Sequence, residues 1–430
     1  MQAAMLFGAM FFLMLIGVPI AFSIELSSSG FLFFTELRPL ILVAQRIANG
    51  MDSFPLLAVP LFILAGNLME TGGISKRLIR WSETLVGGMP GGVGMVTIVA
   101  CTLFAALTGS GPATVAAIGT IMIPSMLKSG YSHNESAGLV AAAGALGPII
   151  PPSIPLIMYG VTMNLSIPKM FMAGILPGIF IAALLMMVNY WRATRPSSTI
   201  RYDKDHTFTL PVFLRTTATA SGALLMPVII LGGIYGGIFT PTEAAAVGVG
   251  YSVCVSVFVY REMTYKGFLL ALRRTVETSG MSIFITASAA IFGWILSATK
   301  MPTLLAGAVI TIVDSQFVYI LMLNIVLFIV GALMDTIAAI IILAPILVPI
   351  GIQLGLDELH LGMFFVINLV IGYVTPPFGY NLFTAVAITK LRFEDVVKGV
   401  LPYLIVQIIA VLIIAYVPQI CLFLPNLLLR

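Results

Sequence analysis

Two long stretches of this chain are too apolar to face water. No charged residue occurs between Glu83 and Lys128, and no Lys or Arg occurs between Lys300 and Lys390. A helix needs about 20 apolar residues to cross the core of a bilayer, where every backbone amide and carbonyl must find its hydrogen bond within the protein. We therefore expect an all-α polytopic membrane protein.

The composition excludes several other classes of protein. Of the 430 residues, 9% are charged and 60% are hydrophobic, whereas charged residues make up about 25% of an average soluble domain. A water-soluble surface needs more polar cover than this chain can provide. A water-soluble enzyme, a disordered chain and a nucleic-acid-binding protein are thereby excluded, and the lipid bilayer is the expected surrounding.

Gly, Pro and charge clusters divide the chain into two halves of similar design. The longest hydrophilic stretch, 192–215, contains five Lys and Arg and is expected to be a cytoplasmic linker. The predicted first repeat covers 1–195, with scaffold helices 1–90, a re-entrant hairpin 91–128, a broken helix 134–163 and a helix 169–192. A linker over 196–215 follows. The predicted second repeat covers 216–430, with scaffold helices 216–315, a re-entrant hairpin 316–352, a broken helix 358–388 and a last helix 400–428. Amphipathic segments predicted to lie along the membrane surface are 38–50, 74–86, 264–275 and 303–314.

Four anchor motifs recur in the same order in both halves. Two of them repeat at an offset of 222 residues, namely the turn ending at Pro19 with that ending at Pro241, and residues 114–118 with 336–340. The other two repeat at an offset of 225, namely Gly147 and Pro151-Pro152 with Gly372 and Pro376-Pro377, and Gly174-x-Leu176-Pro177 with Gly399-x-Leu401-Pro402. Chance similarity among glycine-rich helices is the alternative, but the conserved order of four anchors favours an internal repeat.

The parity of the crossings predicts how the two repeats are oriented. If each half crosses the membrane about five times and adds one hairpin, the second half is inverted relative to the first. With the linker inside, sixteen Lys and Arg fall on the cytoplasmic side and five on the other, as the positive-inside rule requires. Both termini are then predicted to be periplasmic. Inverted repeats are typical of secondary transporters with a site near the bilayer midplane.

Each predicted hairpin has a tip whose residues suit a small hard cation. The first tip, 109–114, contains Gly, Ser and Thr, whose carbonyl and hydroxyl oxygens are ligands that sodium prefers. The second tip, 331–336, contains Asp335, which has no basic neighbour in the sequence and is expensive at membrane depth unless a cation neutralises it. An ordinary exposed turn at the first tip and a helix cap at Asp335 remain the alternatives.

The two Pro-Pro motifs predict helices broken in the middle of the membrane. Two consecutive prolines end one helix, and a proline suits the first turn of the next. The carbonyl end of such a break can hold a cation, and its amide end can hold a carboxylate. A simple proline kink is the alternative.

The predicted core favours an anion that is neutralised without basic side chains. Residues 91–127, 134–168 and 316–389 contain no Lys or Arg, so helix amides and bound cations would have to neutralise an anionic substrate. A neutral polar substrate would also be tolerated. Polar side chains near the breaks that could orient a hydroxylated ligand, or simply join helices, are Ser153, Asn164, Asn381 and Thr384.

Five motifs together resemble one known family over essentially the whole chain. They are MDSFPLLAVPLFILAGNLM, GSGPATVAAIG, LGPIIPPSIPLIMYG, MDTIAAIIILAPILVPI and GYVTPPFGYNLF. These motifs resemble the large membrane subunit of the tripartite ATP-independent periplasmic (TRAP) transporters. The resemblance implies the ion-transporter fold, an elevator mechanism driven by sodium, and residence in the bacterial inner membrane. It also implies two partners: a small four-helix membrane subunit, expected as a separate chain, and a periplasmic substrate-binding protein.

The resemblance also implies two or more sodium sites and no organic cofactor. The expected sodium ligands are Gly109, Ser110, Thr114, Gly147, Pro148, Gly331, Asp335, Thr336, Gly372, Thr375 and Pro376. The residues expected to contact substrate are Pro151, Pro152, Ser153, Pro377, Gly379 and Asn381. The usual substrates are C4-dicarboxylates, sialic acids and other organic acids, and the sequence does not choose among them.

Two other functions compete with sodium-coupled uptake of an organic acid anion. A passive channel would keep the repeat but show flux without sodium dependence or saturation. An intramembrane enzyme would need facing catalytic groups, whereas His133, His206 and His360 fall in turns or linkers and no HExxH motif occurs. An ATP-driven pump is disfavoured because GxxxxGK[ST] is absent from the sequence. We therefore expect no enzymatic activity.

Overall fold

A computed structural model of the chain describes residues 2–201, 208–301, 307 and 315–428, and these residues form helices and no strand. The helices of the first half are α1 (Gln2–Leu15), α2 (Ile20–Thr35), α3 (Ile41–Met51), α4 (Ala58–Thr71), α5 (Ile74–Val86), α6 (Gly92–Thr108), α7 (Gly111–Lys128), α8 (His133–Gly144), α9 (Ile154–Met163) and α10 (Ile167–Thr194). Those of the second half are α11 (Leu210–Tyr235), α12 (Pro241–Cys254), α13 (Tyr265–Ala298), α14 (Gln316–Leu333), α15 (Thr336–Gln353), α16 (Glu358–Ile371), α17 (Tyr380–Thr389), α18 (Phe393–Tyr416) and α19 (Gln419–Leu428).

Helices of membrane-spanning length confirm the predicted all-α polytopic class. Within the described ranges, eight are long and apolar enough to cross a bilayer: Phe54–Thr71, Ile167–Thr194, Leu210–Tyr235, Pro241–Val259, Tyr265–Ala298, Gln316–Leu333, Thr336–Gln353 and Phe393–Tyr416. The two predicted hairpins are α6 with α7 and α14 with α15. The two predicted broken helices are α8 with α9 and α16 with α17, each interrupted at its Pro-Pro motif.

Several predicted boundaries differ from those observed. Segments 38–50 and 74–86 are separate helices, α3 and α5, but 264–275 is not, because it forms the first third of the continuous 34-residue α13. The last predicted helix, 400–428, is two helices separated at Pro418, and α11 already begins inside the predicted linker. Segment 303–314, apart from residue 307, and linker residues 202–207 lie outside the described residues.

The first arms of the two broken helices form the centre of the molecule. Every residue from Glu135 to Gly144 in α8 and from His360 to Ile371 in α16 is buried. Helices that are buried on all sides belong to a core rather than to a surface. The side chains of Ser132 and Asp357, which are 225 residues apart, cap these two helices by accepting an amide hydrogen.

Contacts between the halves recur at the offset of the sequence repeat. A Cβ placed on Gly138 of α8 would lie 2.1 Å from the carbonyl carbon of Gly399 in α18. The positions that correspond to this pair at an offset of 225 are Met363 and Gly174, and a Cβ on Gly174 would lie 3.6 Å from Met363 Cε. Helix α8 of the first half therefore contacts α18 of the second half, and α16 of the second half contacts α10 of the first half at the corresponding positions.

Candidate functional site

The tip of the first hairpin is a small cluster of oxygen atoms. α6 ends at Thr108, and Gly109 follows with a φ of +61°, a left-handed conformation that favours glycine. The hydroxyl of Thr114 donates to the carbonyl of Ser110 at 2.7 Å. The hydroxyl oxygens of Thr108 and Thr114 lie 3.3 Å apart. The predicted tip thus gathers hydroxyl and carbonyl oxygens within one helical turn.

This tip touches the first broken helix backbone to backbone. A Cβ on Gly147 would lie 2.5 Å from the carbonyl oxygen of Ser110, and a Cβ on Gly109 would lie 2.6 Å from that of Pro152. A real Cβ could not sit at either place without displacing the backbone it meets. The glycines of the tip and of the break are therefore needed for this contact.

The peptide segment of the first break is closed by its own hydrogen bonds. The hydroxyl of Ser153 donates to the carbonyl of Pro148 at 2.5 Å and accepts the amide hydrogen of Leu156 at 3.3 Å, so it also caps α9. The peptide bond between Pro151 and Pro152 is cis. All residues from 145 to 160 are buried.

The tip of the second hairpin carries a carboxylate. Asp335 Oδ2 accepts the amide hydrogens of Ile337 at 2.9 Å and Ala338 at 3.4 Å, which makes Asp335 the N-cap of α15. The hydroxyl of Tyr373 donates to Asp335 Oδ1 at 3.5 Å. The ion pairs formed among the described residues do not include Asp335. The cap and the candidate ligand are thus the same side chain.

The second tip contacts the second broken helix through backbone atoms, as the first tip contacts the first broken helix. A Cβ on Gly372 would lie 2.1 Å from the carbonyl carbon of Gly331, the counterpart of Gly109. The hydroxyl of Thr375 donates to the carbonyl of Ile371 at 2.9 Å. The peptide bond between Pro376 and Pro377 is cis.

The lengths of the half-helices locate both tips in depth. α8 has 12 residues and α9 has 10, which at a rise of 1.5 Å per residue gives about 18 and about 15 Å. A break between arms of similar length lies near the middle of the span. Since each tip contacts a break, both tips lie beside the middle of a broken helix.

Both tips border one cavity of about 190 Å³. Its wall on the side of the first tip and break is formed by Gly109, Ser110, Gly111, Pro112, Pro148, Ile154 and Pro155. Its wall on the side of the second tip and break is formed by Asp335, Ile337, Tyr373 and Tyr380. The remaining wall is one face of α13, formed by Thr278, Met281, Ser282 and Ile285. The cavity therefore lies where the two tips and the scaffold meet.

The charge of this cavity is set by one carboxylate and by helix ends. Asp335 is the one acidic residue among the described residues that line it, and no Lys, Arg or His is among them. α7 begins at Gly111 and α9 begins at Ile154, both in the wall, and no side chain caps α7. The free amide groups at a helix N-terminus carry partial positive charge. The cavity thus offers a cation ligand and two anion-attracting helix ends.

The predicted ion ligands and the predicted substrate residues are placed differently. Gly109, Ser110, Pro148 and Asp335 line the cavity. The other predicted ligands lie directly behind it in the tips and breaks: Thr114, Gly147, Gly331, Thr336, Gly372 and Thr375 are buried, and Pro376 is half-buried. Of the predicted substrate residues, Pro151, Pro152, Ser153, Gly379 and Asn381 are buried, Pro377 is exposed, and none is in the cavity wall.

Asn381 joins two helices, which is one of the two roles expected for it. Its amide nitrogen donates to the carbonyl of Ala141 at 3.0 Å, and that of Gln407 donates to the next carbonyl, Ala142, at 2.9 Å. These carbonyls belong to the last turn of α8, where a helix leaves carbonyls unpaired. Two side chains of the second half thereby stabilise the end of α8 next to the first break.

Four polar residues of the cavity wall were not among the predicted site residues. Tyr373 and Tyr380 lie inside the GYVTPPFGY motif, so the motif itself marked them. Thr278 and Ser282 lie in the segment assigned to scaffold, and their spacing of one helical turn was the available signal.

The donor atoms around the tips fit a hard monovalent cation better than a transition metal. They are carbonyl and hydroxyl oxygens with one carboxylate, the ligands of hard cations. In the part of the chain that the structure describes, no three His, Cys, Asp or Glu residues cluster as a metal site would require. The residues present therefore fit sodium.

Comparison with known proteins gives a consistent family match. A family model described as "Tripartite ATP-independent periplasmic transporter, DctM component" matches residues 7–420. The chain is 42% identical over 420 residues to the isethionate TRAP transporter permease protein DctMQ of Oleidesulfovibrio alaskensis, covering 97% of this chain and 65% of that protein. It thus spans about two thirds of the length of that relative.

Two other relatives match along nearly their whole length. The large permease protein YiaN of the Escherichia coli 2,3-diketo-L-gulonate TRAP transporter is 37% identical, over 94% of each chain. The C4-dicarboxylate TRAP transporter large permease protein DctM of Rhodobacter capsulatus is 36% identical, over 100% of each chain. Among solved structures, the Alcanivorax borkumensis YdaH transporter has a TM-score of 0.62 at 12% identity, covering 88% of each chain. That last likeness concerns the fold alone.

Proposed function

Because this chain belongs to the DctM component family of the tripartite ATP-independent periplasmic transporters, we propose that it takes up an organic acid anion across the bacterial inner membrane, driven by sodium. A periplasmic binding protein delivers the anion, and a small membrane subunit accompanies this chain. The observation that carries the proposal is the cavity of about 190 Å³ that joins both tips to α13. The chain is a permease and not an enzyme in this proposal.

The sodium sites are proposed at the two tips. The first would use oxygens of Gly109, Ser110 and Thr114 with the backbone of Gly147 and Pro148. The second would use Asp335 and Thr336 with Gly331 and the break residues Gly372, Thr375 and Pro376. Direct backbone contact between each tip and its break supports this, because it brings carbonyl oxygens from two segments together. Bound sodium would supply positive charge where none of the described residues of the wall is basic.

The acid group of the substrate is proposed to bind at the N-termini of α7 and α9. Gly111 and Ile154 open these helices in the cavity wall. Partial positive charge at helix N-termini attracts carboxylate and sulfonate groups. The named substrates of the relatives, isethionate, 2,3-diketo-L-gulonate and C4-dicarboxylates, all carry such a group. Sialic acid, one of the substrates that the family resemblance implies, has a carboxylate too.

The cytoplasmic side is proposed to be the side of the linker, with both termini periplasmic. Two segments predicted to be cytoplasmic, one from each half, are joined by charged contacts. Arg77 lies 2.8 Å from Glu262 and its guanidinium lies 3.8 Å from the centre of the Tyr260 ring. Arg274 lies 3.0 Å from Glu70. These contacts support the assignment of both segments to one side of the membrane.

An elevator movement is proposed, in which the hairpins and broken helices slide against the scaffold. Such a movement needs a unit that holds together across both halves. The close approach of α8 to α18 at Gly138 and Gly399, and the bonds from Asn381 and Gln407 to α8, interlock the two halves in this way. The cavity lies between this unit and α13 of the scaffold.

Uptake into reconstituted vesicles tests the proposed function. The chain is reconstituted with the small subunit and the binding protein, and the uptake of isethionate, 2,3-diketo-L-gulonate, succinate and sialic acid is measured. We expect saturable uptake of at least one of them that stops when potassium replaces sodium at equal ionic strength. Omission of the binding protein is the control and should abolish the uptake. Unsaturable flux without sodium dependence would instead indicate a passive channel.

A further inference from the structure

One face of α13 contributes hydroxyl groups to the cavity. Thr278, Met281, Ser282 and Ile285 follow one another at steps of three and four residues, which places them on one side of the helix. Two of these four side chains end in a hydroxyl group. They lie across the cavity from the tips, on the helix that the proposed movement leaves in place.

The hydroxyl groups on this face retain hydrogen-bonding capacity. The Ser282 hydroxyl donates to the carbonyl of Thr278 at 3.0 Å, within its own helix, and its oxygen keeps free lone pairs. Within the described part of the chain, the Thr278 hydroxyl has no hydrogen-bond partner and the side chain is exposed to the cavity. Neither side chain joins α13 to another helix, so helix packing does not explain them.

The counterpart of this face in the first half shows that the fold does not require these hydroxyls. The segments 61–66 (LFILAG) and 283–288 (IFITAS) align at the offset of 222. At this offset, Thr278, Met281, Ser282 and Ile285 correspond to Leu56, Val59, Pro60 and Ile63. Leu56, Val59 and Ile63 are buried in the apolar core. The repeat therefore packs apolar residues at positions where the second half presents hydroxyl groups to a cavity.

The arrangement of the walls suggests what these hydroxyls contact. The acid group of the proposed substrate would lie at Gly111 and Ile154, and Asp335 would repel a second negative charge placed beside it unless sodium is bound. The uncharged part of the substrate then faces α13. A hydroxyl or carbonyl oxygen on that part would accept or donate hydrogen bonds at Thr278 and Ser282.

We propose that Thr278 and Ser282 are the specificity-determining residues of the cavity and select anions that carry a hydroxyl or carbonyl oxygen beyond their acid group. The inference rests on the proposed function. It assigns the choice of substrate to the scaffold and the binding of sodium to the tips, so that the two properties are separable by mutation.

Competition between anions that differ by one hydroxyl group tests the inference. The pairs are L-malate with succinate and isethionate with ethanesulfonate, each measured as inhibitors of sodium-driven uptake by the reconstituted complex. For the wild type we expect the hydroxylated member of at least one pair to inhibit about tenfold more strongly, the effect of one hydrogen bond of typical strength. In the double variant Thr278→Val with Ser282→Ala, we expect this preference to disappear while the sodium concentration for half-maximal uptake is unchanged.

Two further variants separate selectivity from folding. Thr286→Val is the matched control, because the Thr286 hydroxyl donates to the carbonyl of Ser282 at 2.9 Å and is not in the cavity wall; it should keep the preference. Thr278→Ser with Ser282 intact keeps both hydroxyls and should keep it too. A wild type without the preference, or a double variant that retains it, overturns the inference alone. Absence of sodium-driven uptake in the wild type overturns the proposed function and the inference with it.

Discussion

The two tip-and-break sites have the same backbone design but different surroundings. At the first, residues 145–160 are all buried, and Asn381 and Gln407 of the other half hold the last turn of α8. At the second, Pro377, Phe378 and Tyr380 are exposed. The positions that correspond to Asn381 and Gln407 in the first half are Leu156 and Ala182, whose side chains cannot donate hydrogen bonds.

This difference shows that an internal repeat can keep its geometry while its halves take different tasks. At both sites a glycine of the break, Gly147 or Gly372, closely approaches the backbone of its tip. The carboxylate of Asp335 is found at the second site, where the first has Ala113 at the corresponding position. We interpret the first site as a rigid support and the second as the more accessible one, with the stronger cation ligand.

The largest loss of stability is expected when a Cβ is added to the break glycine, because both sites have this close backbone contact. Gly372→Ala would place a Cβ 2.1 Å from the backbone of Gly331, and Gly147→Ala would place one 2.5 Å from that of Ser110. We expect each to lower the free energy of unfolding by about 3 kcal/mol, measured by thermal or denaturant unfolding of the purified protein in detergent.

Gly280→Ala is the matched control for these glycine variants. It lies within α13, where an added Cβ has nothing within 4 Å. Alanine in a helix interior is favoured over glycine by about 0.5–1 kcal/mol, so this variant should be at least as stable as the wild type. If Gly372→Ala matched it in stability, the close contact of the second tip with its break would be wrong.

A smaller effect is expected on sodium activation, and it should differ between the sites. Asp335→Asn keeps a side-chain oxygen that can cap α15 but removes the negative charge. We expect the sodium concentration for half-maximal uptake to rise at least about tenfold, equivalent to about 1.4 kcal/mol, because a charged ligand binds a cation more strongly than a neutral one. Thr114→Val at the first tip removes a neutral oxygen and should raise it by a smaller factor. Equal shifts in both variants would refute the distinction between the sites.

The smallest loss of stability is expected from removing the side-chain amide of Gln407, which bonds to the last turn of α8 before the first break. Gln407→Leu removes the hydrogen bond to the carbonyl of Ala142. The expected loss in the free energy of unfolding is about 1 kcal/mol, that of one hydrogen bond. Gln353→Leu, at an exposed amide of α15, is the comparison and should change stability by less than about 0.5 kcal/mol. An unchanged stability for Gln407→Leu would mean that the first break is held without this side chain.

The helix ends at the glycine and proline motifs are accessible to prediction because local chemistry creates them. Gly109 is needed for a left-handed residue, and consecutive prolines at 151–152 and 376–377 interrupt a helix wherever they occur. The start of α13 was predicted wrongly because its charges suggested a surface segment. Those charges instead support a continuous helix, with Arg273 and Glu277 paired at 2.8 Å across one turn.

The hydrogen-bond partners of single polar side chains were the least accessible to prediction. Nearness to a break suggested Ser153 and Asn381, yet Ser153 closes its own segment and Asn381 bonds to Ala141, 240 residues away. Conversely, Thr278 and Ser282 border the cavity although no motif surrounds them. The sodium and substrate assignments of individual residues stay predictions that the experiments above address.

The amino-acid sequence by itself determined that this chain is helical, lies in a membrane and turns at its glycine and proline motifs, because apolar length and local backbone restrictions act within a few residues. Only the tertiary structure decided which break is buried, which is partly exposed, and which helix closes the cavity. These properties depend on neighbours brought together from positions far apart in the chain, and no local pattern encodes which of two similar surfaces will meet them.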